Sequence, residues 1–565
     1  MSTLNFLATK ALHVFSCALA SRGAEKFQQA SRNVEEVQMK IFANLLDSID
    51  GSLSANKLGI SKGKDLVWFK NNVPISCYED WQTLIERQHS GQQHILTNGP
   101  CERYQPTSGS TSKIKWIPYN STFLHELDQA IGPWMSDLYE NFPAIQQGRH
   151  YWSLSWVPSD LRSKITSSIN DDLQLLPWWK RVFMTGTMAV PESIALAKTS
   201  SESSFATACY LVACSDLSFI SVWSPTFALS LLQLIKENQD VIATVLSSGA
   251  WPASYPGLNG IKAPKNITAG IFIKQWHGEV NAAFTEQLWP KLALISAWDT
   301  SSSKIWADKL KGLFAHCQFQ GKGLWATEGV ISIPYKGQYP LAITSHFYEF
   351  EDLDTGEIYS SWQLRAGQNV RPIISTTNGL LRYAMNDQLK VKDFINQCPC
   401  LEFIGRMTGV DMVGEKLSPE IALDIINVFS TSKNLSAISL LAIPACNLKR
   451  KPQYALLCED NSLNEGSQHK YQHELSQQLE NLLCQSFHYQ LARELGQLGE
   501  AQVLITANAM HIYTSHKISR GMVAGNIKIE PLVIWDNQTD SLDSLLAITY
   551  TNENSANTHN CLEAI

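Results

Sequence analysis

Apolar residues recur at three-, four- and seven-residue steps through residues 24–50. Phe27, Val34, Val37, Ile41, Leu45 and Ile49 fall on one helical face, and Gly51 supplies a stop. The spacing predicts a helix there. Further on the period changes. ACYLVAC (208–214) and LSFISVW (217–223) are apolar runs of strand length, and TFALSLLQLIKEN (226–238) has helical spacing after Pro225. LALISAW (292–298) reads as another buried strand and IWADKLKGLFAHC (305–317) as a helix. Buried strands alternating with helices predict an α/β domain. YPLAITSHFYEFED (339–352) is β-rich, and Asp354-Thr355-Gly356 marks a turn after it. From about residue 406 SPEIALDIINVFS, LSAISLLAIPAC and KPQYALLCED read as helix, strand, turn, strand. LSQQLENLLCQSFHYQLARELG (475–496) is a helix with Leu475, Leu479, Leu482, Leu483 and Phe487 on one side. The expected organisation is a large N-terminal domain, 1–405, and a small α+β domain, 406–565.

Composition narrows the class. The chain has 565 residues, 44% hydrophobic and 17% charged, an ordinary balance for two or more globular domains. A net charge of -7 and a pI near 6.1 give no basic surface, which argues against a nucleic-acid partner. Twelve cysteines in so long a chain point to a reduced, cytoplasmic setting. Cys398 and Cys400 have no second CxxC or HxxxH partner and read as buried thiols, not metal ligands. ALHVFSCALAS near the N-terminus contains Ala18-Leu19-Ala20, which mimics a signal-cleavage site. Polar interruptions favour an amphipathic first helix instead. No run approaches the roughly 18 apolar residues of a membrane span, so no membrane partner is expected, and the protein is read as a monomer.

Four stretches offer chemistry. In YQPTSGSTSKIKWIPY, Thr107, Ser108, Gly109, Ser110, Thr111 and Ser112 give successive hydroxyl and N–H donors, with Lys113 and Lys115 close by. Such a loop suits a polyphosphate. It lacks Walker A spacing, and a solvated turn is the plainer reading. In GKGLWATEGVISIP (321–334), Thr327 and Glu328 offer a hydroxyl for a phosphate and a carboxylate for Mg²⁺, or simply a helix cap and first turn. In STTNGLLRYAMNDQLKV (375–391), Asp387 suits a pair of ribose hydroxyls, or a hairpin turn. LEFIGRMTGVDMVGEKLSPE (401–420) carries Arg406 at the expected domain boundary and otherwise reads as a linker.

Each stretch is ambiguous alone, but their order resembles the adenylate-forming superfamily of acyl ligases and luciferase. Within it, VPISCYEDWQTLIERQHSGQQHILTNGPCERYQPTSGSTSKIKWIP is similar to the acyl-acid amido synthetases, the Gretchen Hagen type known from plant auxin conjugation and from bacteria. ISVWSPTFALSLLQLI, LWPKLALISAWDTSSSKIWADKL, FQGKGLWATEGVISIP and HFYEFED resemble the same family, and KPQYALLCED and SHKISR do so more loosely. The resemblance runs from about residue 70 onward.

The resemblance implies a luciferase-like α/β fold, with a mobile α+β lid following a large ATP- and acyl-binding domain. It implies that Thr107 to Ser112 and Lys115 meet the β- and γ-phosphates of ATP, and Thr327 the α-phosphate. Glu328 would place Mg²⁺, Trp325 (or Leu324 beside it) would take the place of an adenine-packing aromatic with Ala326 next to it, and Asp387 would hold the ribose. Arg406 would mark the pivot of the small domain, and Lys517 would be the lysine brought to the α-phosphate. The implied activity is adenylation of a carboxylic acid and acyl transfer to an amine, an amino acid in this family. An acyl-CoA product, or a nucleotide-binding member with weak catalysis, is the alternative. Ser112, Ala384 and Asn386 depart from residues common in the family: glycine, arginine and glycine respectively.

Overall fold

The computed structural model describes residues 3–106, 115–153, 186–407, 409–410, 412–413, 415, 417–431, 435–444, 451–460, 465–494, 497–520, 522 and 527–535. They divide into two compact units, the first built mainly from residues up to Ile404 and the second mainly from Gly405 onward.

The first unit opens on helices Thr3–Ala30 and Val34–Ile49. The continuous periodicity of residues 24–50 is therefore interrupted. The reason is tertiary: at the break the Ser31 carbonyl accepts from Gln397 N–H and the Ser31 hydroxyl from Asn396 Nδ2, both at 2.8 Å. A hairpin follows, β1 (Arg103–Pro106) against β2 (Trp116–Tyr119), with Arg103 opposite Tyr119 and Pro106 opposite Trp116. Helix Ser121–Asn141 comes next.

A parallel sheet then runs in sequence order through β3 (Arg149–Trp152), β4 (Leu217–Ser221), β5 (Leu294–Ser296) and β6 (Gln318–Gln320). Helix Pro225–Glu237 follows β4 and helix Lys304–Leu313 follows β5, as their spacing predicts. ACYLVAC is not a strand. It is the end of helix Ser200–Ala213, which is buried on most sides and so shows no polar stripe. Its start is set by a capping box: the Thr199 hydroxyl accepts from Glu202 N–H, and the Glu202 carboxylate accepts from Thr199 N–H, each at 3.1 Å.

Next comes a two-stranded hairpin, β7 (Trp325–Ala326) and β8 (Gly329–Val330). Beyond it lie β9 (Phe347–Asp352), β10 (Ile358–Ser360), β11 (Asn369–Ser375), β12 (Tyr383–Ala384), β13 (Asp387–Ile395) and β14 (Cys398–Arg406). They form one sheet in the order β10-β9-β11-β13-β14, with β12 on β11. Cys398 and Cys400 are buried strand residues.

In the second unit helix Pro419–Thr431 precedes β15 (Ser436–Ile443) and β16 (Gln453–Glu459), then β17 (Gln502–Thr506) and β18 (Leu532–Ile534) in the order β17-β16-β15-β18. The helix expected over 475–496 is two helices, Glu465–Leu483 and Phe487–Glu494. Glu480 gathers the Tyr489 hydroxyl at 3.0 Å and Arg493 Nε at 2.5 Å, which ties the second helix to the first.

A buried polar anchor of the first unit is Arg382. Its guanidinium donates to both oxygens of Glu349, at 2.9 and 3.1 Å, and to the carbonyls of Lys70 and Val73 at 2.8 and 2.7 Å. Glu349 is 1% exposed, so removing its partner strands a buried charge. Arg382→Met is expected to destabilise the unit by about 3–5 kcal/mol in urea unfolding, and adding Glu349→Leu to recover much of that loss.

Candidate functional site

Thr327 and Glu328 form the turn of the β7–β8 hairpin, not a helix cap. Gly329 must be glycine. A Cβ there would lie 2.9 Å from His346 Nε2, and that nitrogen already accepts from Val330 N–H at 3.1 Å. Acceptance at Nε2 fixes the tautomer, so Nδ1 carries the hydrogen and donates to Glu126 at 2.9 Å. The pair is buried behind the turn and holds its backbone.

Three tyrosines lie within the electrostatic reach of Glu328. The Tyr119 hydroxyl, at the end of β2, donates to the Thr327 carbonyl at 2.9 Å. The Tyr383 hydroxyl lies 3.4 Å from Glu328 Oε1. The Tyr78 hydroxyl accepts from Trp116 N–H at 2.8 Å. Burial, with Glu328 adding to it, raises the proton affinity of all three, and Tyr119 is pushed up to about 12 although Arg103 over its ring opposes the shift. They remain hydroxyl donors at neutral pH.

The hydroxyl loop, Thr107 to Ser112, lies outside the described residues. Its stem does not: β1 and β2 are joined through it, and Tyr119 fastens that stem to Thr327. Lys115 stands at the foot of β2 with Nζ 3.3 Å from Glu79 and 5.1 Å from the Tyr78 ring centre. Asp387 begins β13, four residues after Tyr383, and is 7% exposed. Ser76 pins this stretch: its N–H donates to the Arg382 carbonyl and its carbonyl accepts from Ala384 N–H, each at 2.9 Å. Ala384 is buried. Arg371, from the adjacent β11, donates to the Met385 carbonyl at 2.6 Å and to Asn386 Oδ1 at 3.0 Å. A guanidinium from another strand thus stands beside the residues that lead into Asp387.

Trp325 and Ala326 are half-buried in β7, and the Trp325 ring turns toward Trp134 and Trp223, at 5.7 and 5.8 Å. The structure thus brings the Thr327–Glu328 turn together with the loop stem and Tyr383.

In the second unit Arg406 and Lys517 share one carboxylate. Glu530 Oε1 is 3.1 Å from Arg406 and Oε2 is 2.7 Å from Lys517, which is 4% exposed. Burial works against both charges, but the pairing overrides it: Lys517 is held above the usual lysine range and Glu530 below the usual carboxylate range.

The chain matches the GH3 family N-terminal domain over residues 23–319, the central domain over 339–406 and the C-terminal domain over 425–537. It belongs to the GH3 family. This GH3 chain is similar to a Nicotiana attenuata protein named jasmonoyl–L-amino acid synthetase JAR4, 21% identical over 422 residues, 68% of this chain and 71% of that one. The Arabidopsis thaliana indole-3-acetic acid-amido synthetase GH3.15 is 21% identical over 423 residues, 68% of this chain and 70% of the relative. Its fold is shared with the structure of AtGH3.15 acyl acid amido synthetase in complex with 2,4-DB. The TM-score is 0.77 at 16% identity, over 94% of this chain and 96% of that one.

One residue that the motifs did not single out is Lys322, in the GKG preceding Trp325. It is 2% exposed, its Nζ donates to Ser221 Oγ at 2.7 Å, and it lies 4.8 Å from the ring centres of both Trp134 and Trp223. Burial alone lowers its pKa to about 7. The unfolded amine titrates near 10.4, so between about pH 7 and 10 the unfolded state binds the extra proton and this lysine's contribution to stability rises with pH. Lys322→Met is therefore expected to gain most over the wild type near pH 6. That gain should shrink by up to about 1.4 kcal/mol per pH unit between about pH 7 and 10, read by urea unfolding across that range.

Proposed function

We propose that this GH3 chain is an ATP-dependent ligase that adenylates a carboxylic acid and transfers the acyl group to an amino acid, forming an amide. The observation that carries the reading is the meeting of the Thr327–Glu328 turn with the loop stem, through Tyr119, and with the Asp387 segment, through Tyr383. In this reading Thr107 to Ser112 and Lys115 take the β- and γ-phosphates, Thr327 the α-phosphate and Asp387 the ribose hydroxyls. Trp325 and Ala326 border the nucleotide. Domains 1–405 and 406–565 divide the work, with Arg406 at the pivot and Lys517 supplying positive charge to the α-phosphate. The setting is cytoplasmic and the enzyme a monomer.

Glu328 suits Mg²⁺. Its carboxylate is a hard oxygen donor and half-buried. Among the described residues no group of three or more His, Cys, Asp or Glu gathers to hold a metal, so the ion would be shared between Glu328 and substrate phosphates. When bound, it neutralises charge developing at the phosphorus.

A carboxylate is a poor electrophile because its oxygen is a poor leaving group. Attack of that oxygen on the α-phosphorus expels pyrophosphate and converts it into the leaving group AMP. An amine nitrogen then attacks the acyl carbon, the C–O bond to AMP breaks, and the amine loses a proton. The Tyr119 and Tyr383 hydroxyls hold the Thr327–Glu328 turn before substrate arrives, which avoids reorganisation in the transition state.

Glu328→Ala is expected to lower acid-dependent ATP–pyrophosphate exchange by about 10²–10³-fold; unchanged exchange overturns the reading. Adding hydroxylamine, amino acids or CoA separately distinguishes amide from thioester formation. Lys517→Met is expected to slow exchange per folded molecule far more than Glu530→Gln does. Equal loss of stability in both, with normal rates, would leave Lys517 only a structural role.

A further inference from the structure

Trp134, Trp152, Trp223, Trp298 and Trp325 form one cluster in the first unit, each ring 5.7 to 5.8 Å from a neighbour. It stands at the carboxyl ends of the parallel strands, the side on which open α/β sheets bind ligands. Trp152, Ser221, Ser296 and Gln320 are register partners across β3 to β6, so they share one face of the sheet. Lys322 Nζ reaches Ser221 on that face, and Trp134 Nε1 donates to Gln320 Oε1 at 3.0 Å.

The polar groups there are under-used. The ammonium of Lys322 has three hydrogens, and Ser221 takes one. Among the described residues it forms no ion pair. Ser296 Oγ, on a residue 0% exposed, and Trp152 Nε1 are buried with no hydrogen-bond partner among the described residues. The lysine's backbone is fixed on both sides. At Gly321 a Cβ would collide with the Tyr339 hydroxyl and the Asp299 carboxylate, and Gly323 has φ +70°. Keeping this buried amine protonated without a counter-charge is costly, as its lowered pKa shows, and two tryptophan faces offset only part of that cost. Trp152, Trp223, Trp298 and Trp325 are half-buried, so the aromatic walls reach the surface while the lysine does not.

We propose that Lys322 is the specificity residue of the acyl-acid site: it receives a hydrogen-bond acceptor or second negative charge at the end of an aromatic acid remote from its reacting carboxylate. This rests on the ligase reading above, in which that carboxylate meets the nucleotide at Thr327. Lys322 faces Ser221, Trp134 and Trp223, whereas the Thr327–Glu328 turn faces Tyr119 and Tyr383, so the two have different neighbours. Trp325 stands between the two, with its chain leading into Thr327 and its ring in the tryptophan cluster. The substrate class is therefore flat aryl or arylalkyl acids with a distal hydroxyl, carbonyl or carboxylate.

The test uses the full chain and matched acids: phenylacetate and 3-phenylpropionate against their para-hydroxy and para-carboxy derivatives. Acid-dependent ATP–pyrophosphate exchange and quenching of tryptophan fluorescence by the free acids are both measured. The wild type is expected to prefer the substituted acid by about 10- to 100-fold, chiefly through KM, and Lys322→Met to bring the ratio near one. Should Lys322→Met fail to fold, Lys322→Gln decides: it keeps the preference for hydroxyl and loses that for carboxylate. Exchange in the wild type with a ratio that neither variant moves overturns this inference and leaves the ligase intact. No exchange with any acid defeats the ligase reading. The quenching titrations then judge Lys322 alone, and equal affinities within matched pairs count against it.

Discussion

The hydroxyl of Tyr119 meets the carbonyl of Thr327 at 2.9 Å, and the arrangement of the candidate site depends on that tie. Tyr119 closes the stem of the hydroxyl loop, while Thr327 lies 208 residues further along the chain. A single such bond contributes only about 1 kcal/mol net. Its effect is positional, because both partners sit on otherwise rigid supports. On one side Arg103 covers the Tyr119 ring, with its guanidinium carbon 4.9 Å from the ring centre, in the paired stem. On the other the His346–Glu126 pair, fixed in one tautomer, backs Gly329.

Buried charge in the first unit falls into two kinds, and the contrast separates scaffold from chemistry. Arg382 is fully committed, with two carboxylate oxygens and two carbonyls on its guanidinium. Its task is finished when the chain folds, and it sets the path of the backbone that leads into Asp387. Lys322 is the opposite case, with one neutral partner and aromatic walls. A folded protein satisfies its buried ionic groups unless something else is to satisfy them. By that criterion Arg382 belongs to the architecture and Lys322 to a ligand.

The sequence was readable wherever a motif carries its own geometry. The strands LSFISVW and LALISAW and the helix after Pro225 follow from periodicity and a helix-starting proline. ACYLVAC misleads because a helix buried on most sides has the apolar run of a strand; the TSSE capping signature at 199–202 was the available clue. The Thr327–Glu328 turn was named from its residues, but a capping site and a hairpin turn use the same residue types, and only pairing of Trp325 with Val330 separates them. Tyr78, Tyr119 and Tyr383 were invisible as a group, since a tyrosine in an apolar run reads as core until its hydroxyl partner is known. Lys322 left one trace, a lysine between two glycines in an apolar segment.

The second unit poses a question of energetics that its geometry answers in part. In the proposed reading Lys517 carries charge to a phosphate, and such a lysine cannot also be locked in a buried pair, because withdrawing it would strand the carboxylate at a cost of several kcal/mol. Glu530 avoids that trap by having two cations. When Lys517 leaves Oε2, Arg406 still holds Oε1 at 3.1 Å, and Glu530 N–H keeps its bond to the Tyr513 hydroxyl at 3.1 Å. The carboxylate is then never left unpaired, and the cost of releasing the lysine is reduced to breaking one charge-assisted hydrogen bond and desolvating what replaces it. On the proposed reading, Arg406 at this position has a role that a neutral residue could not fill: it would keep Glu530 paired while Lys517 serves the phosphate.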